Sequence, residues 1–284
     1  MGTNFTRYKV VGDDRPDLSR FTVARFIDID DYVVTTLRID ERTVPTALLK
    51  KFCAKEEQRV RIEQQIPRLS RGMRMEIKER IRTEMIRRAK PTTVTVDVVW
   101  NVATGTVLFF STSGKHRAIF EDFFKESTGL IINSVVTEPQ PDFLTWLWWK
   151  SETGDDVQIG KRLVLEDNAG GKVTCTGPEE LPEAMTALAT GKKLVQAGMQ
   201  ISDFSLTYTS LDEFKSVKLP RTGGTEQSDR DGATLERVYL IEQLIAAIDG
   251  YRNTFMIRRA DPGLWAIESG RINAWISEHM GARA

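Results

Sequence analysis

Residues 92–110 read TTVTVDVVWNVATGTVLFF. The runs 92–100 and 105–111 are rich in Val, Thr and aromatic residues, which favour β-strands, and Gly105 falls at the turn between them. Two strands this close along the chain form a hairpin. We therefore predict an α+β fold, with mixed or antiparallel sheets and packed helices, and not a doubly wound parallel sheet.

The chain before this hairpin is strongly basic. From Lys55 to Lys90 there are twelve Lys and Arg against six Glu, although the whole chain has 40 of each sign and a net charge of zero. The pattern predicts two helices, 45–66 and 70–89, separated by Pro67 and capped at Ser70. In the second helix an apolar residue occurs at every fourth position, which marks one stripe of a helix. These residues are Met73, Ile77, Ile81 and Met85.

A basic face follows the same helical spacing as the apolar stripe. Arg74, Lys78 and Arg82 lie beside it. One interpretation is a solvated surface balanced by Glu76, Glu79 and Glu84 through i,i+4 pairs. The other is a patch that contacts nucleic-acid phosphates, because each bound Lys or Arg releases a counterion. No sequence motif here would read a base.

The stretch after the hairpin, FFSTSGKH at 109–116, invites comparison with a phosphate-binding P-loop. A P-loop needs Gly six residues before its lysine and Ser or Thr directly after it. Those positions hold Phe109 and His116, so we predict a surface turn between a strand and a helix. Lys115 could contact a phosphate only as a point charge.

The remaining chain alternates strand-like and helix-like segments. Further helices are predicted at 117–128, 179–190, 234–249 and 261–279. Two prolines in EPQPDFLTWLWWK, 138–150, indicate a domain boundary, and we expect three parts: 1–45 with 91–137, 46–90, and 138–284.

The tryptophans that follow these two prolines could stack on bases, but dense aromatic runs more often form a core or an interface. Trp146 and Trp148 fit either a half-buried strand or a short helix, and at least one should be buried.

The composition excludes several classes of protein. Two cysteines and two histidines are too few for a disulfide framework or a zinc cluster, and we expect no cofactor. The segment MGTNFTRYKVVGDD lacks the apolar region of a signal peptide, and no apolar run reaches 18 residues. We therefore expect a cytoplasmic protein with no membrane contact.

Several phrases, in order, resemble one bacterial family. They are NFTRYKV, DYVVTTLRIDERTVPTALLKKF, RRAKPTTVTVDVVWNVATGTVLFFSTS, EDFFKESTGL, PDFLTWLWWKSE, EAMTALATGKKLVQAGMQI, LDEFKSVKLP and LIEQLIAAIDGYRNTF. Together they are similar to the recombination-associated protein RdgC family over nearly the whole chain. No single phrase is a catalytic signature, so the likeness rests on their shared order.

The resemblance implies a non-enzymatic, nucleoid-associated protein that forms a dimeric ring around double-stranded DNA, without sequence preference. Binding would limit access of the recombinase RecA to DNA. The protruding helical pair, 46–90, would be the gate where two subunits meet, and the part from 138 would hold their second contact. The candidate DNA contacts are then Arg71, Arg74, Lys78, Arg82, Arg87, Arg88, Lys115, Lys192 and Lys193. The candidate dimer contacts are Lys90, Trp265, Trp275 and Ile276.

Two features depart from the family pattern. The segment DRPDLSRFTVARFIDID, 14–30, is shorter than the helix and Gly-Trp loop usual there. Lys90 occupies a position that is often apolar in the family, so a symmetric gate contact would bring it towards its own copy. We therefore expect a dimer held mainly by the C-terminal half.

Two alternatives stay open. One is a regulator that binds a protein partner and has little affinity for DNA. The other is a metal-dependent exonuclease, which needs clustered carboxylates to hold magnesium or manganese. The candidates for such a cluster are Asp97, Asp142, Glu166 and Asp167, although their spacing matches no recognisable nuclease motif.

Overall fold

The computed structural model describes residues 3–12, 26–29, 31–154, 156–177, 180–220 and 230–280. Most of the shortened segment 14–30 therefore lies outside the described residues. By its contacts the chain forms two compact units, the first made of 1–35 and 97–284 and the second of 36–96. Residue 138 falls inside the first unit, and the expected division into three parts stays a prediction.

Eleven strands and seven helices make up the described residues. The strands are β1 (Thr3–Val11), β2 (Phe26–Ile29), β3 (Tyr32–Glu41), β4 (Thr92–Asn101), β5 (Thr106–Phe109), β6 (Ile131–Ser134), β7 (Val157–Glu166), β8 (Lys172–Cys175), β9 (Lys193–Ile201), β10 (Phe204–Thr209) and β11 (Glu213–Lys218). The helices are α1 (Thr46–Glu63), α2 (Arg71–Arg88), α3 (Gly114–Thr128), α4 (Pro141–Glu152), α5 (Leu181–Ala189), α6 (Arg230–Ala260) and α7 (Pro262–Met280). None of the helices described is long and apolar enough to cross a bilayer.

The strands form one mostly antiparallel sheet in the order β2-β3-β4-β5-β1-β11-β10-β9-β7-β8, with β6 paired to β1. The hairpin predicted from 92–110 is present as β4 and β5, which pair from Val98 opposite Phe109 to Asn101 opposite Thr106. Gly105 has a φ of 64° in the connecting turn, a conformation that favours glycine. The α+β class is confirmed.

Strand β1 joins distant parts of the chain. It pairs with β5 on one side and with β11 on the other, where Phe5 lies opposite Phe214 and their rings stack at 4.4 Å. The pairing of Phe5 with a residue so far along the chain places the first and last described strands side by side. One sheet therefore runs through both regions that the prolines near 138 were expected to separate.

The tryptophan segment is helix α4, and all of its large aromatic side chains are buried. Trp146 donates its indole N–H to the carboxylate of Glu268 on α7, at 2.8 Å. Trp148 meets Trp275, also on α7, edge to face at 5.2 Å between ring centroids. The helical alternative is the one observed, and the prediction that at least one tryptophan is buried is confirmed.

A buried ion network links β1 and α6 to the turn before β11. Asp212 accepts hydrogen bonds from Arg7 at 3.0 Å and from Arg252 at 2.6 Å, and Arg7 also donates to Asp249 at 2.6 Å. Burial by itself lowers the pKa of Arg7, but bonds to the two carboxylates raise it above its ordinary value. Burial, together with Asp212, raises the pKa of Tyr208 well above its usual range, so the phenol stays protonated and donates to Asp212.

Candidate nucleic-acid interface

The predicted helical pair is present in the second unit as α1 and α2. Ser70 caps α2 by accepting a hydrogen bond from the backbone N–H of Met73, at 3.2 Å. The helix ends at Arg88 because Lys90 precedes Pro91, and the residue before a proline is driven out of the helical conformation. Both predicted helices, 45–66 and 70–89, are confirmed to within a few residues.

A thin apolar contact and one ion pair connect the two helices. Ile77, in the middle of the predicted stripe, is 6% exposed, while Met73, Ile81 and Met85 are half-buried. Glu56 of α1 accepts hydrogen bonds from Arg80 of α2 and from Arg59 of its own helix, both within 2.6 Å. The hydrogen bond from Arg59, and then the charges of Arg59 and Arg80, lower the pKa of the Glu56 carboxyl.

Four cations surround a groove of about 580 Å³ along the helical pair. We call Lys50, Arg71, Arg74 and Lys78 the basic groove, which also includes one acid, Glu57. All four cations are exposed, and none lies within ion-pairing distance of a carboxylate in the part of the chain that the structure describes. Their charge is therefore available to an anionic ligand.

Cys53, at the side of the basic groove, is not an activated thiol. Burial and then Glu57 raise the pKa of the Cys53 thiol, and the nearby charge of Lys78 offsets this only in part. A thiol with a raised pKa is a poor nucleophile, because the thiolate is the reactive form. Cys53 therefore stays a neutral thiol at neutral pH.

The other three predicted cations of α2 lie outside the basic groove. Arg88 is paired with Glu84 at 2.7 Å, and Arg82 is 3.9 Å from Glu79. Arg87 is exposed, and its carbonyl accepts a hydrogen bond from Arg42. The basic groove thus contains three of the six cations predicted on α2, together with Lys50, which lies before the basic stretch Lys55–Lys90 and was not a predicted contact.

Three predicted DNA contacts belong to the first unit. Lys192 donates to the carboxylate of Asp167 at 2.5 Å and to the carbonyl of Gly171 at 3.1 Å. The hydrogen bond from Lys192 is the main cause of the lowered pKa of the Asp167 carboxyl. Lys192 therefore holds the turn between β7 and β8. Lys193 is exposed at the start of β9, and Lys115 is exposed in the first turn of α3.

The sequence FFSTSGKH forms the connection from β5 into α3. Ser113 caps the helix by accepting from the backbone N–H of His116, at 3.5 Å, and the Ser111 hydroxyl accepts from the backbone of Ser113 at 3.2 Å. Serine side chains thus satisfy N–H groups that a P-loop would offer to phosphate. The predicted surface turn between a strand and a helix is confirmed.

The predicted dimer contacts differ in exposure. Trp275 is buried against Trp148 within its own chain, Ile276 packs beside the same core, and half-buried Trp265 meets Phe255 at 5.6 Å. Trp275 is thus covered within its own chain, whereas Trp265 and Ile276 keep part of their surface exposed, and the dimer contact stays a prediction. Lys90 is exposed in the second unit.

Exposed apolar residues occur elsewhere on the last two helices. We call the four around the junction of α6 and α7 the apolar corner; they are Met256, Ile257, Leu264 and Ile267. Ile257 is 68% exposed, which is unusual for an isoleucine in a folded domain. None of the four is aromatic, and the dimer contacts predicted on α7 were mainly aromatic residues, so the sequence pattern did not indicate them.

The carboxylates considered for a nuclease site do not form a cluster. Asp142 pairs with Arg259 at 3.4 Å, and Asp167 binds Lys192 and the backbone of its own turn. Within the described residues, no group of three or more His, Cys, Asp or Glu side chains has an arrangement that could hold a metal ion. The four acids therefore offer no shared metal site there.

Comparison with known proteins adds to this geometry. The family model described as "Putative exonuclease, RdgC" matches residues 24–232 of the 284-residue chain. A search of curated proteins found no match. The matched region contains the whole helical pair with its basic groove and most strands of the sheet. The sequence likeness and the helical pair agree with this match, and the chain belongs to the RdgC family.

Proposed function

We propose that this protein binds double-stranded DNA through phosphate contacts, without sequence preference, and that the basic groove is the contact surface. The observation that carries the proposal is the set of four exposed cations without acidic partners, in a chain whose net charge is zero. Phosphate contacts position a protein on a duplex but carry no base information. A groove of exposed Lys and Arg, on a helical pair whose sequence contains no recognisable base-reading motif, therefore fits sequence-independent binding.

We also propose a role in recombination, in line with the family. A protein that occupies duplex DNA without sequence preference competes with any other protein for the same backbone. Such binding would limit access of the recombinase RecA, as the family resemblance implies. The proposed activity is binding and not hydrolysis, because two of the four carboxylates considered for a nuclease site, Asp142 and Asp167, are paired with Arg259 and Lys192.

Binding to duplex DNA should be sensitive to salt and insensitive to sequence. We expect two unrelated duplexes of equal length to bind with affinities within about twofold, and the logarithm of the affinity to fall linearly with the logarithm of salt concentration. Four phosphate contacts predict a slope of about −3.6. Fluorescence anisotropy of labelled duplexes over a series of salt concentrations measures both quantities.

Other outcomes of this titration would change the proposal. Absence of binding at low salt would leave the protein-binding regulator as the better function. A strong preference for one duplex would contradict phosphate-only contact. Shortening of an end-labelled duplex in the presence of magnesium would restore the exonuclease.

We propose that two copies associate through the apolar corner, which would give a dimer without requiring a contact between the two helical pairs. Substitution of both Ile257 and Ile267 by Glu should convert a dimer to a monomer, because it places charge in an apolar contact. Sedimentation equilibrium measures the mass, and Tyr239→Glu, an equally exposed position on α6, should leave the dimer intact. A monomeric wild-type chain, or a double variant that remains dimeric, would contradict the proposal.

A further inference from the structure

The helical pair has a second groove, larger than the basic groove and different in character. Its volume is about 1120 Å³, and exposed or half-buried apolar side chains line it. We call this surface the apolar groove; the residues that define it are Leu48, Phe52, Ile62, Ile81 and Met85. Phe52 is 46% exposed and Ile62 is 69% exposed, so the groove presents uncovered apolar surface.

The two grooves lie on opposite sides of α1. Leu48, Phe52 and Ile62 face the apolar groove, and Lys50 and Glu57 face the basic groove. At about 100° per residue, the two sets lie roughly half a turn apart around the helix axis. No lining residue is common to both grooves, so one side can be occupied while the other is free.

The rim of the apolar groove is positively charged. It contains five cations, Lys55, Arg59, Arg80, Arg88 and Lys90, and two acids, Glu56 and Glu84. Both acids are already paired, Glu56 with Arg59 and Arg80 and Glu84 with Arg88. Lys55 and Lys90 are exposed, and neither has an ion-pair partner among the residues described.

This charge pattern selects the kind of partner. In a symmetric contact between two copies, each positive rim would face the other, which is unfavourable without additional acids. A helix with acidic residues beside its apolar side chains would instead place carboxylates near Lys55 and Lys90. The apolar floor would accept the apolar side chains of the same helix.

The length of the groove sets the size of the partner segment. Leu48 and Ile62 are fourteen residues apart on α1, which corresponds to about 21 Å along the helix axis. A helix of roughly 14 residues covers that length and presents apolar side chains at i, i+4, i+7 and i+11 to one side. Such a segment fits the groove in length and in charge.

We propose that the apolar groove is a docking site for an amphipathic helix of a partner protein, in which acidic residues flank the apolar side chains. The site is separate from the basic groove and does not depend on DNA binding. A chain bound to DNA through one side of α1 could then hold a protein on the other side.

A synthetic peptide tests this directly. The probe is a labelled helical peptide of about 16 residues, with Leu at i, i+4, i+7 and i+11 and Glu at the flanking positions. We expect saturable binding to the full chain by fluorescence anisotropy, and binding at least roughly tenfold weaker for the same peptide with Lys in place of Glu. Equal binding of the two peptides, or binding of neither, would overturn the proposal.

Two variants with the same charge change locate the peptide. Phe52→Glu introduces a negative charge in the groove and should weaken binding roughly tenfold or more. Thr83→Glu, on an exposed position of α2 outside both grooves, should leave peptide binding unchanged. Equal loss in both variants would contradict docking in the groove.

A contact between two copies is the competing occupant. If the Phe52→Glu protein has a lower mass in sedimentation than the wild-type protein, and the Thr83→Glu protein does not, the groove binds a second copy and the proposal is wrong. Circular dichroism shows whether each variant keeps its helices. Duplex binding is measured in the same preparations, so a failure of peptide binding is distinguishable from a failure of DNA binding.

Discussion

Replacement of Trp148 by Ala should lower the free energy of unfolding of the first unit by about 3–5 kcal/mol. Trp148 is 1% exposed, and its ring lies edge to face against Trp275. Removal of the indole leaves a cavity between α4 and α7 and also removes the aromatic contact. The midpoint of urea unfolding, followed by tryptophan fluorescence and circular dichroism, measures the loss.

A matched substitution separates core packing from a general effect of mutation. Tyr239 is 62% exposed on α6, and Tyr239→Ala should change stability by no more than about 0.5 kcal/mol. If Trp148→Ala does not fold, Trp148→Phe should still unfold at a lower urea concentration than wild type. A Trp148→Ala protein that is as stable as wild type but has lost DNA binding would show that the segment stacks on bases.

Local patterns in the sequence predicted the elements that depend on neighbouring residues. The four-residue spacing of Met73, Ile77 and Ile81 predicted α2, and the valine-rich runs on either side of Gly105 predicted the hairpin of β4 and β5. In each case the side chains that form the element are close together along the chain. Helical and strand periods report such elements well.

Contacts between distant parts of the chain were not predictable in the same way. The pairing of β1 with β11 depends on hydrogen bonds between residues more than two hundred positions apart, and no local period reports it. Helix α6 was predicted to end at 249, before Gly250, but it continues to Ala260. Burial of Arg252 and Phe255 holds the turns after the glycine, so tertiary contacts outweigh its low helix propensity.

The cations of the basic groove were also only partly predictable from the sequence. The excess of positive charge that begins at Lys55 indicated the basic helix. Lys50 lies before that stretch, on α1, but its side chain lines the same groove. The number of charges in a sequence also does not distinguish a free cation from one that is paired with an acid. Lys192 and Arg88 are as basic as Arg74 in the sequence, but Asp167 and Glu84 already neutralise them.

The largest effect on DNA binding should come from the free cations of the basic groove. We define the basic-groove variant as the combination of Arg71→Ala, Arg74→Ala and Lys78→Ala. Loss of three phosphate contacts lowers the magnitude of the salt slope by about 2.7 and weakens binding roughly 500-fold at 0.1 M salt. The effect should be equal on unrelated duplexes, because no base contact is removed.

A control with the same charge change distinguishes local contact from net charge. We define the rim variant as the combination of Lys55→Ala, Arg59→Ala and Arg80→Ala, which line the apolar groove on the other side of α1. Two of these cations are already paired with Glu56. Their distance from the basic groove, about one helix diameter, is similar to the screening length of about 10 Å at 0.1 M salt, so only a small effect is expected.

The most direct test is the salt slope of duplex binding for the wild type and these two variants, measured side by side by fluorescence anisotropy. We expect the magnitude of the slope to fall by about 2.7 in the basic-groove variant and to be nearly unchanged in the rim variant. Equal slopes in all three proteins, or an equal reduction in both variants, would contradict the assignment of the basic groove as the DNA-binding surface.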